Sequence, residues 1–162
     1  MPLRPLLAAI LLLTAAPALA AVQARPLAPT ESVWKPAATP PGGVSWAVLE
    51  STKEVTRTGK DGYIYSKPAF APAVQALKGK TVKVSGYMMP LQNGASQTHF
   101  VLLAYPPDCP FHLNPAPTQF IEVKTAKPVA VSSGVVVIEG ALQLLGEDEG
   151  GVFYRIYDGR AA

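Results

Sequence analysis

The sequence predicts a mainly β protein, a small five-stranded OB-like barrel with a short helix ahead of it. Three observations carry this reading. Five segments between residues 80 and 157 are patterned as strands, apolar and polar residues alternating or running apolar throughout. The first and fourth, residues 80–91 and 135–145, are long, and each holds a glycine near its middle, Gly86 and Gly140. A mid-strand glycine marks a bulge or a sharp bend, and a small closed barrel has to bend its long strands sharply. A β-sandwich is the alternative architecture.

Residues 1–20 read as a secretory signal peptide: Arg4 near the start, an apolar run over residues 6–13, and Ala18-Leu19-Ala20 as an A-x-A cleavage site. The run is shorter than the ~20 residues a membrane span needs. A periplasmic mature chain starting at Ala21 is expected, with no membrane insertion of its own. Residues 21–45 read as a Pro-rich linker, with Pro26, Pro29, Pro36, Pro40 and Pro41 ahead of Gly42-Gly43. Trp34 is positioned to pin it to the domain. The domain is expected over residues 46–158.

Trp46 and Leu49 stand three apart, enough for one helical turn. Residues 53–61 are polar and read as a surface loop, and residues 62–65 as a short strand. Residues 68–77 read as a helix, with Phe70, Val74 and Leu77 on one face and Gly79 as its stop. In the first barrel strand Val82 and Val84 point inward, Lys83 and Ser85 outward, and Pro90 ends it. Residues 92–97 are a turn around Gly94, and residues 98–105 the second strand. Residues 118–124 form the third strand. Residues 125–134 contain Pro128 and are too short for the helix often found between the third and fourth strands of such barrels. Glu147-Asp148-Glu149 opens an acidic turn, better read as solvated than as a calcium loop, whose ligands alternate. Residues 152–157 are the fifth strand and residues 159–162 a frayed tail.

Charge excludes one class of partner. Lysine and arginine total 14 against 11 acidic residues, and removal of Arg4 leaves the mature chain at +2. Nucleic-acid binding usually needs a clustered basic face, so nucleic acid is not expected as a partner.

The chemistry-bearing stretch is residues 105–117. It holds the single cysteine, Cys109, one of two histidines, His112, and five prolines. Each proline fixes its own φ and restricts the residue before it, so the loop has little freedom to lose on binding. Cys109 has no partner in the chain for a disulfide.

At Gly86-Tyr87-Met88-Met89-Pro90-Leu91, with Phe100, Leu102, Cys109, His112, Pro115, Pro117 and Gln119, the chain resembles an uncharacterised family of exported bacterial proteins. That family carries a G-[YF]-M-x-P-L strand and a Pro-rich Cys/His loop ending in glutamine. The resemblance covers roughly residues 46–158. It implies an OB-like barrel, and, through neighbouring ABC-type permease genes linked to metal supply, a membrane transporter component as partner. Family histidines often follow the cysteine by two residues; here the spacing is three.

Three function classes follow. Cys109 and His112, with Met88, Met89 or His99, form a soft ligand set for a copper or zinc ion, and Asp108 is a further candidate. This makes the chain a non-enzymatic accessory protein in metal handling or ABC-linked envelope transport. The structural alternative buries the cysteine and uses both methionines as filler. In a second class the chain is a glycan- or peptide-binding OB-like module with no metal, Tyr63, Tyr65, Tyr87 and Tyr105 supplying stacking surfaces. In a third, His112 or Asp108 activates Cys109 as the thiol of an enzyme. No third orienting group or oxyanion motif accompanies that pair.

Overall fold

The computed structural model describes residues 35–107, 115–147 and 149–162. The elements run α1 (Trp46–Leu49), β1 (Lys53–Thr58), β2 (Ile64–Ala69), α2 (Pro72–Gln75), β3 (Thr81–Pro90), β4 (Ser96–Leu103), β5 (Phe120–Ala130), β6 (Val135–Leu144) and β7 (Tyr154–Ala161). The last five close a barrel in the order β3-β4-β5-β7-β6, with β6 returning to β3. Every pairing in it is antiparallel except β5 with β7. This is the Greek-key order of an OB-type barrel. The expected fold is therefore the observed one.

Alternation fills the barrel. Val82, Val84 and Met88 of β3, Phe100 and Leu102 of β4, Ile121 and Val123 of β5, Ile138 and Leu142 of β6, and Tyr154 and Ile156 of β7 are all buried. The two mid-strand glycines mark close approaches. β3 pairs with β6 over Thr81 to Tyr87 and with β4 over Tyr87 to Pro90, so Gly86 lies where the strand passes from one neighbour to the other. A Cβ on Gly86 would lie 2.7 Å from Leu103 O and 2.6 Å from Leu102 Cγ. On Gly140 it would lie 2.7 Å from Tyr157 O.

One end of the barrel is capped by α1. Ser45 caps this turn, accepting a hydrogen bond from Val48 N. The indole of Trp46 is buried and donates from Nε1 to Ser85 O at 2.7 Å. Ser85, expected on the outer face, is buried, and its backbone oxygen accepts the indole bond. Part of the expected linker is likewise docked. Ala37 N donates to Ala104 O and Val44 N to Lys83 O, both at 2.8 Å, which holds residues 37–44 against the barrel. Trp34 lies outside the described residues.

Several boundaries differ from expectation. Residues 53–58 are strand β1, paired with β2 in a separate two-stranded sheet. No apolar alternation announces β1 because every one of its residues is exposed. The expected helix from residue 68 shrinks to α2, with Pro72 in its first turn, because Pro68 and Ala69 finish β2. Phe70, Val74 and Leu77 do pack on the core, but α2 is capped at Ala76, and Gly79, at φ +73°, lies three residues beyond it in the turn leading to β3. β5 continues through Pro128 to Ala130. Its pairing with β4 jumps from His99↔Lys124 to Gln97↔Val129, so Pro128 falls in the unpaired bulge, where it removes no β4–β5 ladder bond. β7 runs to Ala161, and the expected frayed tail pairs with β6 through Glu139↔Arg160 and Ile138↔Ala161.

Candidate functional site

The outer surface of β4, β5 and β7 carries a connected polar network of five side chains, His99, Glu122, Lys124, Arg155 and Tyr157. Its assembly follows from register. Glu122 on β5 stands beside Arg155 on β7, and His99 on β4 stands beside Lys124 on β5. Residues two apart on a strand share a face, so Glu122 and Lys124, and likewise Arg155 and Tyr157, all project outward while Ile121, Val123 and Ile156 fill the core. Cross-strand and diagonal neighbours on one face are within reach of long side chains.

Glu122 is the hub. Its Oε1 lies 2.8 Å from His99 Nε2, and its Oε2 accepts from Arg155 Nε at 2.6 Å and stands in an ion pair 2.5 Å from Arg155 Nη2. Partial burial alone would raise the Glu122 carboxyl. The hydrogen bonds and charges of Arg155 and His99 outweigh it and hold the group below the usual carboxylate range. Arg155 also donates from Nη1 to Tyr157 Oη at 3.1 Å. Two cations flank the Tyr157 ring, the Arg155 guanidinium at 5.6 Å from its centroid and Lys124 Nζ at 5.7 Å. Arg155 is matched by Glu122, whereas Lys124 makes no ion pair among the described residues. The face presents a half-buried aromatic ring, an unmatched ammonium and an ordered guanidinium, all on strands.

The expected ligands that lie among the described residues do not gather. Cys109, His112 and Asp108 lie outside the described residues. Met88 is buried in the barrel opposite Leu102. Met89 is exposed on the outer face opposite Val101, and His99 is bound to Glu122. β3 and β4 are hairpin neighbours, as expected, but the alternation that buries Met88 turns Met89 and His99 the other way. Among the described residues no three His, Cys, Asp or Glu side chains group as a metal site would require.

The four expected stacking tyrosines are also dispersed. Tyr63 is exposed near the β1–β2 tip. Tyr65 hydrogen-bonds Asp61 at 2.5 Å, Tyr87 packs against the core, and Tyr105 donates to Glu50 at 3.3 Å. The useful aromatic is Tyr157, which the sequence reading passed over along with Glu122, Lys124 and Arg155. Alternation within residues 118–124 and 152–157 marks them as outward-facing, but only the parallel β5–β7 pairing makes them neighbours. A cavity of about 350 Å³ between residues 39–48 and α2 is lined by Val44, Val48, Ala73 and Leu77 among others and holds no titratable side chain.

Residues 28–156 match the family described as protein of unknown function (DUF3299). No curated protein matches the chain. Among solved structures, the chain is similar to a DUF3299 family protein from Pseudomonas aeruginosa PAO1. The two share 25% identity over 57% of this chain and 67% of that chain, with a TM-score of 0.40. The family match spans well over half of the sequence, and the chain belongs to the DUF3299 family.

Proposed function

We propose that this DUF3299 protein is a non-catalytic, exported binding module whose ligand face is the outer surface of β4, β5 and β7, and that its ligand is an acidic oligosaccharide. One observation carries the reading: Lys124 and Arg155 bracket the half-buried ring of Tyr157 at 5.7 and 5.6 Å. A tyrosine ring offers a flat apolar surface to a sugar ring, and an adjacent unmatched ammonium selects a carboxylate on that sugar. β4 and β5 are the second and third strands of the barrel, the face on which OB folds bind oligosaccharides and oligonucleotides. That analogy concerns fold alone. Two considerations weigh towards the sugar: the small net charge of the chain, and the export that residues 1–20 lead us to expect.

The test is calorimetric titration of the mature chain with oligogalacturonate, with a neutral maltooligosaccharide and with single-stranded DNA. Oligogalacturonate should bind best, and both Lys124→Ala and Tyr157→Ala should weaken it by about tenfold, the loss expected for one charge-assisted or one stacking contact. Equal binding of the neutral sugar, or tighter binding of DNA, would reject the ligand class. Binding unaffected by either substitution would reject the face. N-terminal sequencing of secreted protein checks export, Ala21 being the expected first residue.

The metal-handling reading, with copper or zinc on Cys109 and His112 and a transporter component as partner, rests on the sequence. It stands if copper(I) or zinc binds the wild type more tightly than Cys109→Ser, and falls if the two titrate alike.

A further inference from the structure

We propose a second binding surface, on a sheet separate from the ligand face: the outer edge of β1 docks an extended acidic segment of a partner protein by strand addition. β1 and β2 form their own two-stranded sheet, and all six residues of β1 are exposed. An isolated two-stranded hairpin is marginal in water. This one is fixed along one edge only. Ser66 of β2 bridges to Gly150 in parallel register, and its N–H donates to Glu149 O. The Glu149 carboxylate is bound by Arg57 and Lys67. β2 is thereby tied to the β6–β7 turn, and the other edge, β1, meets no backbone among the described residues.

The hydrogen-bond alternation can be read from two contacts. Gly59 N donates to Tyr63 O at 2.8 Å, which makes that opposed pair a bonded one. Bonded and non-bonded pairs alternate along an antiparallel ladder. Arg57↔Tyr65, Val55↔Lys67 and Lys53↔Ala69 are therefore bonded pairs, and Thr58, Thr56 and Glu54 turn their backbone groups outward. Ser66 opposes Thr56 and sends its own N–H away from β1, to Glu149, as this phase requires. The edge thus offers three consecutive outward N–H and C=O sets in register, the template that strand addition uses.

The side chains say what should dock there. Lys53, Val55 and Arg57 share one face of β1, joined by Lys67 across the ladder. Glu149, seated on Arg57 and Lys67, shows that this face accepts a carboxylate. Lys53 makes no ion pair among the described residues, and Val55 is 57% exposed. A strand added beside β1 sets its residues opposite Lys53, Val55 and Arg57 in turn. The pattern that complements them is acid-x-apolar-x-acid, because opposite charges facing each other across strands are favourable and like charges are not.

The experiment uses the full mature chain, isotope-labelled, titrated with the capped heptapeptide Thr-Glu-Thr-Val-Thr-Glu-Thr and with its counterpart carrying lysine for glutamate. The acidic peptide should perturb and protect the amides of Glu54, Thr56 and Thr58. It should bind about tenfold or more tightly than the lysine peptide. Thr56→Pro removes an outward N–H, a substitution that edge strands tolerate, and should abolish binding while the barrel resonances stay in place. If that variant also loses the hairpin, Lys53→Glu decides instead: with Arg57 still in place, it should erase the preference between the two peptides. Equal affinity of the wild type for both peptides overturns the proposal, as does a preference unchanged in Lys53→Glu, a response on the barrel face or none on β1. Concentration-dependent dimerisation lost in Thr56→Pro would assign the edge to a second copy and overturn it too. So would β1 amides that become unprotected when residues 21–34 are deleted, because the chain's own leader would then be the occupant.

Discussion

Removing one oxygen, in Tyr154→Phe, tests how the α1 end of the barrel is held. Tyr154 is fully buried. Its hydroxyl donates to Leu49 O at 2.7 Å and shares a 2.7 Å hydrogen bond with Thr52 Oγ1, which must donate in return since the phenol has one proton. These contacts join β7 to the end of α1 and to the chain entering β1. Phenylalanine keeps the ring, leaves the Thr52 hydroxyl unpaired and leaves Leu49 O with only its bond from Thr52 N, in surroundings where Leu49 and Thr52 are both buried. Stranding buried polar groups in this way costs about 1–3 kcal/mol. In a domain of this size that is a fall of about 4–12 °C in Tm.

The same hydroxyl has a pH signature. Burial pushes the Tyr154 phenol up from 10.0 to about 12; the bond from Thr52 opposes this and the nearby charge of Glu50 adds to it. The folded state favours the neutral phenol. Its contribution is therefore complete below pH 10 and is lost as the pH rises through 12. At pH 11 linkage gives a loss on the order of 1 kcal/mol, and the limit at higher pH is on the order of 3 kcal/mol. Urea unfolding of both proteins at pH 7, 9 and 11 separates the effects. The variant should be less stable at pH 7, and the gap should narrow by roughly 1 kcal/mol at pH 11. Equal midpoints at pH 7 would refute the hydrogen-bond argument, and a gap that does not narrow would refute the burial argument.

Three further perturbations probe other parts of the chain. Gly86→Ala sets a methyl against Leu103 O, and overpacking of this kind costs about 1–3 kcal/mol; an unchanged thermal midpoint would show that β3 and β4 can separate without penalty. Glu122→Ala leaves the partly buried Arg155 without its carboxylate and should cost about 1–2 kcal/mol, below the value for a fully buried pair because both groups retain some solvent. Because the Glu122 carboxyl is held low, its stabilisation is present above pH 4.5 and fades as the pH falls below it; Glu122→Gln should flatten that acid limb in a pH series of urea midpoints. Glu149→Ala releases Arg57 and Lys67 and should speed hydrogen exchange across β1 and β2 while leaving barrel amides protected; unchanged exchange would show that the Ser66–Gly150 bridge holds the hairpin without it.

The barrel was legible because its core obeys period two. Val82 and Val84, Phe100 and Leu102, and Ile121 and Val123 announce inward faces within single short segments. β1 was not legible because its burial does not alternate; the valine and threonines of Lys-Glu-Val-Thr-Arg-Thr were a weak propensity signal with no apolar stripe behind it. Pro128 misled because a proline inside a strand needs a position with no ladder N–H, and the bulge that supplies one here arises only from tertiary pairing. The polar face was illegible for a different reason. His99 and Glu122 are 23 residues apart, and Glu122 and Arg155 are 33 apart. No local motif links them, and the parallel β5–β7 pairing that brings the last two together is a property of the closed order.

The same alternation bears on what a metal at Cys109 and His112 could use. Met88 and Met89 are consecutive, so one must face the core and one the solvent; Met88 is the buried one, opposite Leu102. His99 shares the outward face with Met89 but spends Nε2 on Glu122, beside a guanidinium that disfavours a second cation. β4 ends at Leu103, four residues past His99, a rise of about 13 Å along the strand towards residues 104–119. No single ion reaches Met88, Met89 and His99 together. Two ligands alone leave a soft metal weakly held, so tight copper or zinc binding would have to draw its remaining ligands from elsewhere, with Asp108 next in sequence to Cys109. Metal affinity untouched by Met88→Leu is what the burial of Met88 requires, and Asp108→Ala tests the nearest candidate in sequence; loss of affinity in Met88→Leu would mean that the barrel opens to bind, against the packing that buries that side chain.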